Sequence, residues 1–448
     1  MLTEKSIDIK KYIFTVILII LLAVFQEVLL RIIFPIPEVV NFNRINYSST
    51  FINIEENPEY VSNTAFIWKS DPDNAECTAN LNIYGFRDKN WKIKKPPGYH
   101  RVMFIGDSFL EGFMASDEET IPMGFKNHAN ANKIKTEPLN LGVGASQFPE
   151  YLKLIREALP IFKPDYLFII FYANDFPPPE FDPAWLNPSF TPKYYRPFEP
   201  RLYYIYKKLR EKNTIPFRWR SSPFLFLKPT PDPSNPWSSE ENVNRVKEFV
   251  APNLITAMKK ATFNPFVVNE YKTYRKRLRT PFNVSPHLLS LKSYANKFSS
   301  KLFIVYIPSR SQISDAYLSY QQNYTECKDV TSLMGKQYQL HRLILRRTCN
   351  RLNIPFFDVS PMLTQKEAEG QRMFWNYDEH MKGYTYLLIG KEICKWWISE
   401  LRGEFHPRVR HSTISPEDAK NELNLNSDHG VFQSDADKTA PLKRPLSL

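Results

Sequence analysis

Four short stretches of the chain carry side chains with chemical capability: Gly106-Asp107-Ser108, the pair Gly142 and Gly144, Asn174-Asp175, and Asp378-Glu379-His380. A serine hydroxyl is a weak nucleophile until a base takes its proton. An imidazole can do so, and a nearby carboxylate would fix its tautomer and stabilise the imidazolium. His380 supplies the imidazole. Asp378 is the first choice for the orienting carboxylate and Glu379 the second. Attack on an ester also creates an oxyanion that needs donors already in place. A backbone N–H at a glycine, with no Cβ in the way, or a neutral side-chain amide can act as such a donor.

Each stretch also has a plainer reading. A serine after a strand is commonly a helix cap, and Asn-Asp is commonly a turn. Asp107 and Asp175 are read as local hydrogen-bonding residues rather than catalysts. Among the eight histidines, His429 also follows an Asp but falls in a polar tail. His100, His128, His287 and His341 have no adjacent Asp. No metal-ligand cluster, phosphate-binding glycine loop or CxxC is visible, and no cofactor is expected. GxSxG is absent around Ser108, which argues against the α/β-hydrolase fold.

What must position these residues is a set of strands. RVMFIG (101–106), EPLNLGVG (137–144), DYLFIIFYAND (165–175), KLFIVYIPS (301–309) and IPFFDVS (354–360) read as short buried strands. Helical spacing falls between or after them, at 149–162, 288–298, 340–353 and 383–402. Alternating strands and helices predict a three-layer α/β/α fold with a five-stranded, mostly parallel sheet. In such a sheet chemistry sits at the carboxyl ends of the strands. Ser108, the glycine pair and Asn174-Asp175 each follow a strand, and Asp378 and His380 lie beyond the last one.

In that order the four stretches resemble the blocks of the SGNH, or GDSL-type, serine hydrolase superfamily. Gly106-Asp107-Ser108-Phe109-Leu110 is similar to its nucleophile block, NLGVGASQ to its glycine block, Tyr172-Ala173-Asn174-Asp175 to its GxND block, and Asp378-Glu379-His380 to its acid–base block. The resemblance spans roughly residues 101–402, apart from an insertion. It implies a flavodoxin-like sheet and an acyl-serine intermediate on Ser108, with His380 as base and Asp378 as orienter. It implies an oxyanion hole from the N–H of Ser108, the N–H of Gly144 and the amide of Asn174, with Gly142 as the alternative glycine. Two departures stand out. Tyr172 occupies a glycine position, and Asp378 lies two residues before the histidine rather than three. The spacing D-x-H also occurs in relatives that acetylate polysaccharides. The expected substrate is therefore an acyl ester of a glycan or lipid. The alternatives are an O-acetyltransferase of cell-surface polysaccharide and an inactive SGNH-fold binding protein.

Composition frames this reading. The chain has 448 residues, 43% hydrophobic and 24% charged, which suits a globular protein and excludes wholesale disorder. Only 13 glycines occur, and seven of them fall between Gly85 and Gly144, where special backbone geometry is expected. Eighteen of 36 prolines lie between Pro177 and Pro286, marking a Pro-rich insertion at about 176–287. The net charge of +12 aids solubility, although the run YKTYRKRLR (271–279) could meet anionic lipid or polymer. No nucleic-acid motif appears, and no nucleic-acid partner is expected. Cys349 and Cys394 fall in predicted core helices, whereas Cys77 and Cys327 fall in polar segments and could pair in an oxidising compartment.

Tyr12 to Phe34 is an apolar stretch interrupted only by Glu27 and Arg31, four apart on one helix face. It is long enough to cross a ~30 Å hydrocarbon core. A cleaved signal peptide and a buried core helix are the competing readings; a signal-anchor helix is preferred, because no small-residue cleavage site follows. Lys5, Lys10 and Lys11 precede the span, so the amino terminus is expected in the cytoplasm and the catalytic domain outside, in a periplasm or lumen. The expected organisation is residues 1–37 as stub and anchor, 38–95 as connecting segment, 96–402 as hydrolase domain, and 403–448 as a disordered tail.

Overall fold

The structure is a computed structural model. It describes residues 9–33, 36–42, 65–68, 77–144, 146–176, 190–196, 198–210, 222–224, 236–246, 252–260, 274–318, 332–375 and 379–403. The first helix, α1 (Ile9–Ile33), is long and apolar enough to cross a membrane. Its two interior charges pair as the spacing suggests, with Arg31 Nε 2.7 Å from Glu27 Oε1.

The strands are β1 (Ala65–Trp68), β2 (Cys77–Asn80), β3 (His100–Gly106), β4 (Thr136–Gly142), β5 (Tyr166–Tyr172), β6 (Ser222–Phe224), β7 (Lys301–Ile307) and β8 (Phe356–Asp358). The further helices are α2 (Ser108–Glu111), α3 (Ile121–Ala131), α4 (Phe148–Phe162), α5 (Arg201–Arg210), α6 (Glu240–Val246), α7 (Pro252–Lys259), α8 (Ser285–Lys297), α9 (Leu340–Arg351), α10 (Ser360–Ala368) and α11 (Gly383–Leu401). Five strands form one sheet in the order β4-β3-β5-β7-β8, every pair parallel. A small second sheet, β2-β1-β6, joins the amino-terminal segment to the Pro-rich insertion. The fold is thus three-layer α/β/α, as expected.

Side chains alternate across a strand, and here both faces are buried, which is why the strands read as continuous apolar runs. On one face Phe104, Phe168, Ile170 and Phe303 pack against Phe125 of α3 and Ile389, Ile393 and Trp397 of α11. On the other, Met103, Ile105, Ile169 and Ile304 pack against Leu152 and Ile155 of α4, Leu288 of α8 and Leu345 of α9.

The segment 38–95 contributes to that second core. Val39, Phe42, Tyr84, Phe86 and Trp91 are buried in it, with Phe42, Tyr84 and Trp91 each packed against Phe162. Arg101, fully buried at the start of β3, ties the segment down. Its Nη1 donates to the carbonyls of Ile93 and Phe162, its Nη2 to that of Lys92, and its Nε to Glu137 at 2.8 Å.

The insertion also reaches the core. Trp237, Met258, Tyr274 and Leu278 are buried in the cluster that holds Phe104 and Phe168. The charged run 271–279 is therefore partly core; Tyr274 and Leu278 alternate with exposed Arg275 and Lys276. Cys349 and Cys394 are buried free thiols, each pushed up to about 12 by burial. Cys327 and the tail beyond Gly403 lie outside the described residues.

Candidate active site

Ser108 sits where β3 turns into α2. Asp107 caps the helix, accepting the Phe109 N–H at 2.9 Å, and Gly112 closes it with φ of 83°. The turn is tight enough to need glycine at its start, because a Cβ at Gly106 would lie 2.8 Å from that of Leu110. Ser108 is the first helical residue, so its N–H has no acceptor within the helix.

His380 comes from the far end of the chain. Its Nε2 lies 2.7 Å from Ser108 Oγ across 272 residues of sequence. The loop bearing it is closed by the Phe374–Met381 bridge and by hydrogen bonds from Trp375 N–H to the His380 carbonyl and from Lys382 N–H to that of Met373. Fully buried Arg310 donates to the Trp375 carbonyl at 2.6 Å, pinning the base of the loop to the end of β7. The imidazole is held between two rings, stacked on Phe109 at 4.7 Å and tilted against Phe113 at 4.5 Å. Asp378 lies outside the described residues.

Glu379 is engaged elsewhere. Its Oε2 accepts the Tyr274 hydroxyl at 2.8 Å and the Tyr172 hydroxyl at 3.2 Å. Tyr172 occupies the position where a glycine was expected. Its ring stacks on Phe109 with centroids 3.6 Å apart. Tyr172, Phe109 and His380 thus form one continuous stack.

β4 and β5 flank β3, so the glycine pair and Asn174 emerge on either side of Ser108. A Cβ at Gly142 would lie 2.2 Å from the backbone nitrogen of Glu111, so only glycine lets β4 approach α2 this closely. The Gly144 N–H, which the resemblance assigns to the oxyanion, is donated to Glu111 Oε2 at 2.9 Å in this structure. The Gly142 N–H is donated to Asn140 Oδ1 at 3.0 Å. Asn174 is half-buried, and its Oδ1 is buried with no donor among the described residues. Its carbonyl accepts from Arg277 at 3.0 Å, which fastens the end of the insertion to the turn after β5.

Beneath these groups lie two buried carboxylates, Asp107 and Asp175. Asp175 accepts the Tyr172 N–H at 2.7 Å, so both aspartates make the local backbone bonds expected of them. Both are raised above the usual carboxylate range, chiefly by burial. Asp107 further raises Asp175, whereas the Phe109 N–H and His380 draw Asp107 down.

Among the described residues, no other histidine joins this site. His341 is buried against Phe176 and Phe282 and lowered to about 4 by burial, and His100 packs on Tyr166 and Trp397. The sequence reading missed Phe109, Phe113, Tyr172, Tyr274, Arg277 and Arg310 as contributors. The tyrosine standing for glycine at 172 was the one visible signal.

No family model and no curated protein matches the chain. Among solved structures the chain is similar to a lipase/acylhydrolase from Enterococcus faecalis, at 12% identity and a TM-score of 0.31, covering 69% of this chain and 98% of that one. It is similar to an acetyl xylan esterase, AlAXEase, at 9% identity and a TM-score of 0.31, covering 67% and 99%. A GDSL-like lipase from Bacteroides thetaiotaomicron follows at 11% identity and a TM-score of 0.29, covering 67% and 88%. At these values the likenesses carry no weight of their own, and the functional reading rests on the site.

Proposed function

We propose that the chain is a serine ester hydrolase of the SGNH type, working through an acyl-Ser108 intermediate. The observation that carries this reading is the 2.7 Å contact between His380 Nε2 and Ser108 Oγ. His380 takes the hydroxyl proton as Oγ bonds to the acyl carbon. The tetrahedral oxyanion collapses, and the departing alkoxide leaves with the proton from His380. Water then attacks the acyl carbon as His380 takes its proton, and the second tetrahedral intermediate collapses, breaking the carbon–Oγ bond and releasing the acid while His380 returns the proton to Ser108 Oγ. The stack on Phe109 and Phe113 limits imidazole rotation, which keeps Nε2 aimed at Oγ through both half-reactions.

The Ser108 N–H and the Asn174 amide are the first oxyanion donors in this reading. Gly144 joins them only when Glu111 releases its N–H. Asp378 is the proposed orienter of His380, because Glu379 Oε2 is committed to two phenols. The substrate is an acyl ester of a glycan or lipid outside the cytoplasm, with α1 as anchor and Lys5, Lys10 and Lys11 on the cytoplasmic side.

Labelling with a fluorophosphonate tests the assignment. The wild type should carry one adduct, on Ser108, and Ser108→Ala should carry none. Equal labelling of both proteins, or an adduct on another residue, would overturn it.

A further inference from the structure

Along α1, every residue from Tyr12 to Gln26 is exposed, whereas Glu27, Leu30 and Ile33 are partly covered. Those three share one helix face. What packs against this end of α1 is α5, in the Pro-rich insertion. Glu27 Oε2 accepts the backbone N–H of Arg201, the first residue of α5, at 2.9 Å. The chain just after α1 binds the same part of the insertion. Val40 N–H donates to the Lys193 carbonyl, Tyr195 N–H to that of Glu38, and Lys193 N–H to Asn41 Oδ1.

This attachment fixes a height. If Lys10 and Lys11 reach one headgroup layer, ~30 Å of hydrocarbon at 1.5 Å per residue takes about 20 residues. The far surface of the bilayer then falls between Glu27 and Ile33, where α5 is joined. The side chains there suit that level. Leu202, Tyr203 and Tyr206 of α5 are 52–56% exposed, Tyr194 is 58% exposed and Phe198 is 97% exposed. Lys193 and Arg196 are exposed beside them, and α5 continues in sequence as Lys207-Lys208-Leu209-Arg210. Aromatic rings with basic neighbours are the composition of a headgroup layer.

We propose that α5, with residues 193–196 and 198–200 before it, forms a foot that rests in the phospholipid headgroup layer at the carboxyl-terminal end of α1. The hydrolase domain then stands on the bilayer in one orientation instead of swinging on a tether. The inference is independent of the catalytic reading and rests on α1 crossing the bilayer.

The test uses the full chain, with Cys77 and Cys327 replaced by serine, reconstituted in phosphatidylcholine–phosphatidylglycerol vesicles. A polarity-sensitive fluorophore is placed in turn at Phe198→Cys, Tyr203→Cys, Ile33→Cys and Glu369→Cys, the last on the hydrolase surface. Lipids carrying a headgroup nitroxide serve as quencher. Probes at 198 and 203 should be quenched as strongly as the probe at 33, and several-fold more than the probe at 369. Quenching at 33 alone would overturn the foot while leaving the anchor. A blue shift at 198 and 203 without quenching would also overturn it, by assigning the face to a protein partner. An unquenched probe at 33 would remove the span on which the inference stands.

Discussion

Asp378 and Glu379 are neighbours in the chain and rivals for one role. Glu379 is bound by Tyr172 and Tyr274, so its loss should disturb the aromatic stack more than the imidazole's charge. Asp378→Asn should lower kcat on p-nitrophenyl acetate by about 10³–10⁴-fold, the scale expected when a catalytic imidazole loses its orienting carboxylate. Glu379→Gln should cost far less, and the reverse order would make Glu379 the orienter. Asn174→Ala should lower kcat by about 10²–10³-fold with thermal stability nearly unchanged, the mark of a donor used only in the transition state. The carboxylates below the site bear instead on stability. A carboxyl raised on folding keeps its proton in the native state while the unfolded chain releases it near pH 3.9. Stability therefore falls as pH rises from about 4 towards the native value, by roughly 1.4 kcal/mol per pH unit for each such carboxyl. Asp107 and Asp175 are both raised, so urea midpoints should drop between pH 5 and pH 8. Asp175→Asn should flatten that drop, since it removes one of the two raised carboxyls; an unchanged slope would assign the pH dependence to other groups. At this scale the sequence was legible wherever chemistry demands a residue type. Ser108, Asn174 and His380 stand out in the sequence because few side chains could do the work proposed for them, and the fold brings Ser108 and His380 into contact. Phe109, Phe113 and Tyr274 do not, because an aromatic against an imidazole reads like any core aromatic until the chain is folded.

The elements were more legible than their packing. All five strands of the main sheet follow from apolar runs ending in glycine or polar residues, since a parallel strand buried on both faces leaves no other pattern. The glycine concentration between Gly85 and Gly144 has two separable causes. Gly85, Gly98 and Gly112 take φ of 75–83°, whereas Gly106, Gly124 and Gly142 sit where a Cβ would collide. One cause reaches beyond that window. A Cβ at Gly124 would lie 2.3 Å from the Leu387 carbonyl oxygen, and one at Gly390 would lie 2.1 Å from that of Ile121. These two glycines let α3 and α11 cross backbone to backbone, and α11 begins three residues after His380. Gly390→Val should force the helices apart, costing typically 1–3 kcal/mol from overpacking. It should also lower activity beyond the fraction unfolded, because His380 moves with α11. A variant that loses stability but keeps full activity per folded molecule would uncouple the helix from the base. The aromatic core of residues 38–95 was illegible for a different reason: Phe42, Tyr84, Phe86 and Trp91 are spaced irregularly among polar residues, so no period reports their burial.

At the scale of the whole molecule, α1 and the α/β body are joined but do not share a core. No residue from Lys10 to Ile33 is buried, whereas the body has two cores flanking its sheet. The join is the Glu27–Arg201 contact together with the pairing of residues 38–41 with 191–195. Only the first of these is lost when residues 1–33 are deleted, because Val39 and Phe42 remain to fill the second core. That deletion should release the protein from membranes. It should leave kcat/KM for p-nitrophenyl acetate within about twofold, since the Arg201 N–H, once uncovered by the deletion, can bond to water at a net cost near 1 kcal/mol. Deleting residues 1–42 instead removes Val39 and Phe42 from the ring cluster around Phe162. Phe removal from a core costs about 3–5 kcal/mol, so the longer deletion should lower the urea midpoint sharply where the shorter one does not. Equal midpoints would mean that the amino-terminal segment is dispensable to the core. A loss of activity in the shorter deletion, with its midpoint intact, would mean that α1 reaches the catalytic site as well as the bilayer.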